Sequence, residues 1–567
     1  MQVGFASVSS LFFNHLFSFA GQVIRTPRRI VAPGVLLTDG WATKPGADSW
    51  AYRALDGVHR EVRPETPAKQ ETLRRILQWL SLQAEAPTRG TALVFLHRGD
   101  AILHSCHHLI IAAGLARLGH AVELVHCDGS VERCGVGQVR APLAIPPITC
   151  FNCRSCLTPL AGATVPTLAL GEPRRNAFQA ASPELDTPLP HDFDRLLYPA
   201  LLRHFQGHLP EIAADRRERA AHAAAARRFI ARCHAMFQTR QPAVVCLFNG
   251  QTFPESIIGS VAIEMGIPVI YTERSVLPNS LFMSRDIPAS HYVADRLWAE
   301  CREAISDSDR AQARAFVAAR RRVNIDPLGV NRGFEKLGAD AAHAALTAKP
   351  YAICFAPVLH DTAAAGKDNG LGEVPEALVE TCRAARAAGV RLVIRSHPDE
   401  RRPHNPARYT IRQMLVDRGV VFDDTIVNLD SDSSWNPYVL AERASHVIVH
   451  NGTIAMECGV AGIRTINTGR SHYGGKGFTL DPHSPLELRT MLGRPVERLD
   501  AQEIANAEAY LHFYLHRATL DISGLLEEGA DFTCRVLPPS PQGEEQLEHV
   551  TQRLAFLLES APGPACA

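Results

Sequence analysis

No charge of one sign dominates this chain. Its 567 residues carry 59 basic and 59 acidic side chains, so neither the basic footprint of a nucleic-acid binder nor an acidic tail is present, and no nucleic-acid partner is expected. A basic n-region is also missing ahead of the first apolar segment, VGFASVSSLFFNHLFSFAGQVI, which Asn14 and His15 interrupt. The segment therefore fits neither a secretory signal nor a membrane span. Two readings stay open for it: a helix packed on the domain, or an amphipathic helix resting on a partner or a membrane surface. Internal repeats of the length that builds solenoids or propellers are absent. The cysteine run CFNCRSC (Cys150, Cys153, Cys156) has no second CxxC pair and lacks the radical-enzyme spacing. Most of the 14 cysteines stand singly in apolar runs, as Cys246, Cys354 and Cys458 do, which is the pattern of reduced buried thiols in a cytoplasmic protein.

The length exceeds what one ordinary core supports, so the chain should be bilobal. Residues 1–90 read as an N-terminal extension with one amphipathic helix, from about Lys69 to Gln83. An N-terminal lobe is expected over 91–335, with a polar helical connector from about Ala311 to Lys349 as hinge. A C-terminal lobe should follow over 345–500, then a helical tail over 501–567. In the tail, AEAYLHFYLHRATL has helical spacing suited to packing across both lobes.

In the first lobe ALVFLH reads as a strand, His107 to Leu118 as a helix and VELVHC as the next strand. Cys150, Cys153 and Cys156, completed by Cys127 or Cys134, have spacing that can hold a structural zinc or iron–sulfur group; reduced packing cysteines are the alternative. Further on, AVVCLFNG and PVIYTE flank a helix from about Glu255 to Met265. This βαβ unit sets Asn249, Gly250, Glu273 and Arg274 at strand C-terminal ends, where open α/β sheets bind ligands. Glu273 there is either a general base with a raised pKa or an ion-pair partner of Arg274.

In the second lobe YAICFAPV leads through His360-Asp361, and RLVIR runs into Ser396-His397-Pro398-Asp399-Glu400. Pro398 stiffens the turn and can hold the His397 ring at the strand end. Histidine can there donate to a phosphate oxygen or protonate a leaving group, or merely cap a helix; Arg395 beside it favours anion recognition. The stretch from Ser445 to Asp481 organises the lobe: strand HVIV, the turn Asn451-Gly452-Thr453, a helix from Ile454 to Val460 stopped by Gly462, and a strand from Ile463 to Asn467. Thr453 is the expected N-cap, and Gly452 leaves the first helical N–H groups open to an anion. The loop Tyr473-Gly474-Gly475-Lys476-Gly477 adds one cation, although such glycines can also serve only to turn the chain.

Taken in order, FNG, YTER, FAPVLHD, RSHPDE, HNGTIAMECG and YGGKGFTLD resemble the capsular polysaccharide biosynthesis glycosyltransferases, which include the bacterial Kdo transferases of capsule assembly. That family is similar in turn to bacterial polysialyltransferases and teichoic-acid glycerophosphate polymerases. The resemblance spans roughly Ala243 to Asp481. It implies an α/β GT-B fold, two Rossmann-like lobes with parallel sheets facing a central cleft, the N-terminal lobe with Asn249, Gly250 and Arg274 on the acceptor side and the C-terminal lobe holding a sugar nucleotide, and catalysis that requires no metal or other cofactor. It also implies a role for His397 and Pro398 at the donor phosphate, for Gly452-Thr453 as the small-hydroxyl pair, for Glu457 facing the nucleotide and for Glu273 as general base. Two departures stand out: Gly452 replaces a hydroxyl residue, and Arg274 follows the acid in place of glycine.

The expected activity is transfer of a sugar, with inversion, from a nucleotide-sugar donor to a surface polysaccharide, of capsular or lipopolysaccharide type, or to its lipid-linked primer. The chain would work in the cytoplasm or peripherally at the inner membrane, within a capsule-assembly complex. Transfer of glycerophosphate from a CDP-polyol and a non-catalytic nucleotide- or polysaccharide-binding scaffold are the alternatives.

Overall fold

The computed structural model describes residues 65–559 apart from 84–85, 97, 100, 132–133, 135–152, 171–192, 206, 208–212, 293, 323–347, 402–406, 434 and 530–531, together with 31–32 and 35–36. The apolar N-terminal segment, Cys150 and the connector beyond Arg322 lie outside the described residues.

Helix α1 (Thr66–Ser81) places Leu73, Ile76, Leu77 and Leu80 on one face, and that face is buried in the core of the N-terminal lobe. The helix from the expected extension is thus an outer layer of the first lobe. Strand β1 (Arg89–Leu96) is apolar on both faces because helices cover both sides of its sheet. It is followed by α2 (Ile102–Arg117), which starts five residues earlier than its periodicity suggests and is buried along nearly its whole length. Then come β2 (His120–His126), β3 (Thr167–Ala169), α3 (Phe193–His204), α4 (Ala213–Arg240), β4 (Val244–Phe248), α5 (Glu255–Glu264), β5 (Val269–Arg274) and β6 (Ser280–Arg285). Strands β1 to β5 run parallel; β6 turns back antiparallel on β5.

Helix α6 (Asp307–Arg322) leads out of this lobe. The second lobe includes β7 (Ala352–Phe355), α7 (Val374–Ala388), β8 (Leu392–Arg395), β9 (Ile426–Leu429), α8 (Pro437–Arg443), β10 (His446–Val449), α9 (Ile454–Val460), β11 (Thr465–Asn467) and β12 (Thr479–Leu480). Its six strands are all parallel, in the spatial order β9-β8-β7-β10-β11-β12. That is the doubly wound order in which the chain reverses direction between the first and the fourth strand.

The tail is more than packing. Helix α10 (Ala501–His512) lies on α9 and α6, continues as one π-helical turn (Phe513–Arg517), and the chain then crosses back. There β13 (Thr519–Asp521) adds an antiparallel edge strand to the first sheet, giving β13-β6-β5-β4-β1-β2-β3. Strand β14 (Leu526–Glu528) and α11 (Pro541–Glu559) follow, and α11 packs on α2. Two Rossmann-like lobes therefore face one cleft in the GT-B manner, tied by the tail as well as by the connector. The first sheet differs from the expected parallel one by its two antiparallel strands.

Candidate active site

In an open parallel sheet the loops after the strands on either side of the reversal leave in opposite directions and open a crevice between them. In the second lobe those loops are Ala356 to Asp361 after β7 and His450 to Thr453 after β10. Both line a cleft of about 630 Å³, and the end of β5 in the first lobe, with Glu273 and Arg274, lines its opposite wall.

Glu273 is half-buried, and both carboxylate oxygens have donors. Asn249 Nδ2 donates to Oε2 over 3.0 Å, and the backbone N–H of Arg274 donates to Oε1 over 2.9 Å. Burial pushes the carboxyl up to about 7; those two hydrogen bonds and Arg98 pull the other way, and Asp361 across the cleft adds to the rise. The Arg274 guanidinium is drawn toward the tail, where Nε donates to Glu528 over 2.7 Å. Of the two readings open for Glu273, the ion pair with Arg274 is not formed among the described side chains.

Asn249 and Gly250, expected on the acceptor side, are not among the cleft-lining residues. Asn249 stands behind Glu273, while Gly250, at φ 81°, lies where a Cβ would sit 2.5 Å from the Tyr271 ring. Their work is to position and to pack.

His397, Pro398, Asn451, Gly452, Thr453 and Glu457 all reach the same cleft. The backbone N–H of Asp399 donates to His397 Nδ1 over 3.1 Å. An imidazole nitrogen that accepts carries no proton, so the ring proton is on Nε2 and His397 is a donor there. Gly452 has no positive φ, and a Cβ built on it would meet only Ile454 Cγ2, at 3.8 Å. Neither conformation nor packing requires glycine at this position; what the missing side chain leaves is open space above the start of α9.

Several side chains differ from their expected use. Thr453 stands before α9 with helical φ −60° and ψ −22°, and its hydroxyl makes no capping bond. The Arg395 guanidinium is 4% exposed and donates to the carbonyls of Trp435 (2.6 Å) and Ser433 (3.4 Å). Burial draws its pKa down to about 10. It lines the cleft wall, with both of these donors turned to backbone. Asn451 Nδ2 likewise donates to the Ala363 carbonyl over 3.2 Å. Lys476 is not among the lining residues; its ammonium pairs with Asp295.

Cations that sequence reasoning passed over also line the cleft. Arg203, at the end of α3, and Arg320, near the end of α6, both line the cleft. Arg320 Nε sits 3.2 Å from Glu457 Oε1, and the Tyr438 hydroxyl donates to Glu457 Oε2. Glu457 is 3% exposed, and burial raises its pKa while Arg320 and Tyr438 pull it down. The tail also contributes to the cleft through Tyr510, Phe513 and Tyr514. Long-range docking of a connector and a tail leaves no periodic signal in the sequence, so only the fold reveals these contributors.

Among the described residues no group of three His, Cys, Asp or Glu side chains is placed to hold a metal. Cys153 Sγ accepts the Gly99 N–H over 3.1 Å, and Cys156 is buried. Cys127 and Cys134 pack against a different hydrophobic cluster from the one that contains Leu157. Cys150, the first residue of the expected cluster, lies outside the described residues.

No protein-family model matches the chain, and no curated protein matches it. Among solved structures, it is similar to the beta Kdo 2,4 transferase KpsC of Thermosulfurimonas dismutans, at 13% identity over 55% of this chain and 87% of that one, with a TM-score of 0.35. The beta Kdo 2,7 transferase KpsC of the same organism matches at 15% identity over 57% and 89%, TM-score 0.30. The Arabidopsis thaliana UGT89C1 complexed with quercetin matches at 13% identity over 82% and 100%, TM-score 0.21. Likenesses this slight carry no argument about activity, which has to come from the cleft itself.

Proposed function

We propose that the chain is a glycosyltransferase that moves a sugar from a nucleotide donor to a hydroxyl of a surface polysaccharide or its lipid-linked primer. One observation carries this reading: Glu273 from the first lobe and His397, Gly452 and Thr453 from the second line a single cleft at the strand ends of both sheets. A carboxylate raised to about 7 suits removal of a hydroxyl proton, because it is basic enough to take the proton and still partly ionised near neutrality.

In the proposed step the acceptor oxygen attacks the anomeric carbon and its proton passes to Glu273. The bond from that carbon to the phosphate oxygen breaks, and the nucleotide leaves with the electron pair. One displacement inverts the anomeric centre. The charge that develops on the leaving phosphate is met by the His397 Nε2–H, by the exposed start of α9 beside Gly452, and by the field of Arg203. Glu457, held by Arg320 and Tyr438, is a fixed acceptor for hydroxyls of the nucleotide. The step as proposed uses the chain's own donors and routes nothing through a metal.

A panel of nucleotide sugars and CDP-polyols, with product analysis, tests the assignment. Transfer or donor hydrolysis from a nucleotide sugar that is lost in His397→Ala, with the fold intact by circular dichroism, is the expected outcome. Transfer from a CDP-polyol alone, or binding without turnover, would contradict it.

A further inference from the structure

The loop after β11, read in the sequence as adding one cation, places a different kind of group in the cleft. The His472 ring lies 4.4 Å from the Tyr514 ring at 14°, and it also stacks on Tyr510 at 5.9 Å. All three residues line the cleft. Tyr514 belongs to the π-helical turn, the kind of local irregularity that recurs at functional sites. The stack and the proposed base Glu273 line the same cleft, and Glu273 adds, second to burial, to the rise of the Tyr514 phenol to about 12.

The hydrogen bonds around His472 determine which nitrogen carries its proton. Tyr510 Oη lies 2.6 Å from the His472 carbonyl oxygen and 3.1 Å from His472 Nδ1. A carbonyl only accepts, so the single hydroxyl proton goes to it, and Nδ1 must be the donor to the phenol oxygen. Burial, with Lys367 and Lys476 nearby, lowers the His472 pKa to about 3, which keeps the ring neutral. Nε2 is then a bare lone pair. Among the described residues nothing donates to it, and it is not among the sealed, unpartnered buried nitrogens. His397 presents the opposite tautomer, a donor at Nε2. One cleft thus holds a histidine that suits a phosphate oxygen and another that would repel one.

We infer that His472 reads the sugar ring beside Glu273: its Nε2 accepts a hydrogen bond from a sugar hydroxyl, on a ring fixed by Tyr510 and the Tyr514 stack. Such a group favours a ring that presents O–H or amide N–H at this point and disfavours one that presents a carboxylate or phosphate oxygen. The ring belongs either to the donor or to the acceptor. The inference rests on the transferase reading, and Tyr510 is a positioning residue in it.

The test uses the full chain and isothermal titration. In the donor arm, UDP-glucose, UDP-N-acetylglucosamine and GDP-mannose are compared with UDP and GDP. In the acceptor arm, glucose, galactose and N-acetylglucosamine are titrated with and without saturating nucleotide. In one arm His472→Phe, which keeps the stack, should lose about tenfold in the sugar-dependent part of the affinity, the worth of one hydrogen bond in a desolvated site. Nucleotide affinity should stay unchanged, and His472→Gln, whose Oε1 falls near the Nε2 position, should recover most of the loss. In ¹⁵N-histidine spectra the His472 signal should show Nδ1 protonated and Nε2 bare, and Tyr510→Phe should scramble that assignment. A protonated Nε2, an equal loss of nucleotide affinity in His472→Phe, or the absence of any His472-dependent saccharide affinity in either arm overturns the inference. If no nucleotide binds the wild type, the transferase reading falls, and the saccharide arm without nucleotide still decides the role of His472.

Discussion

The side-chain amide of Asn249 donates to Glu273 Oε2 over 3.0 Å from a residue that stays out of the cleft. The bond favours the charged carboxylate and so opposes the burial that raises its pKa to about 7. The pH profile of kcat/KM for transfer should therefore rise through an acid limb near pH 7 and level off above it. Asn249→Ala removes the opposing bond, so the limb should move to higher pH, with the deepest loss of activity below pH 7 and partial recovery at pH 9. A limb that stays in place would show that Asn249 does not set the base.

The same raised pKa has a consequence for stability. In the unfolded chain the carboxyl titrates near its ordinary value of 4.5. Whatever stability the neutral acid contributes is present below that value and is lost as pH rises to about 7; above that, the buried carboxylate is a constant cost. Glu273→Gln should accordingly melt at the same temperature as wild type at pH 4.5 and at a higher temperature at pH 8. An unchanged or lower melting temperature at pH 8 would contradict the assigned shift.

Arg320 reaches Glu457 from the connector helix. Truncating it leaves a buried carboxylate held only by Tyr438, and breaking a buried pair from one side costs about 3 kcal/mol. Thermal unfolding should show Arg320→Ala clearly destabilised. The double variant Arg320→Ala with Glu457→Gln should regain more than half of the loss, since it removes the stranded charge. Additive losses would mean that the two side chains are not coupled.

Much of this arrangement could be read from the chain. Strand-end residues are legible because an apolar run followed by a turn fixes where a parallel strand stops, and this placed Glu273, His397 and Thr453 at the cleft. What each side chain bonds to was not legible. Arg395 turns to two carbonyls and Lys476 to Asp295, and neither partner is near in sequence. Arg320, Tyr510 and Tyr514 come from segments whose periodicity reports only a buried face, so their arrival at the cleft depends on how the connector and tail cross.

Two glycines separate packing from binding. A Cβ at Gly469 would lie 2.3 Å from the His450 carbonyl oxygen, so Gly469→Ala must move backbone and should be destabilised by about 1–3 kcal/mol. At Gly452 the single close atom is Ile454 Cγ2 at 3.8 Å. Gly452→Ala should therefore melt like wild type, while its donor KM rises about tenfold, because the new methyl occupies space above the first N–H groups of α9. Equal melting losses in both variants would mean that Gly452 is needed only for the fold.

The account's central claim is a division of labour across one cleft, with base chemistry from the first lobe and phosphate capture from the second. Its most direct test measures donor affinity and single-turnover transfer in the same samples at pH 8. Glu273→Gln should bind the nucleotide sugar as wild type does while transferring it about a thousandfold more slowly, within the range that loss of a general base produces. Transfer by Glu273→Gln within tenfold of wild type, at unchanged affinity, would contradict the account.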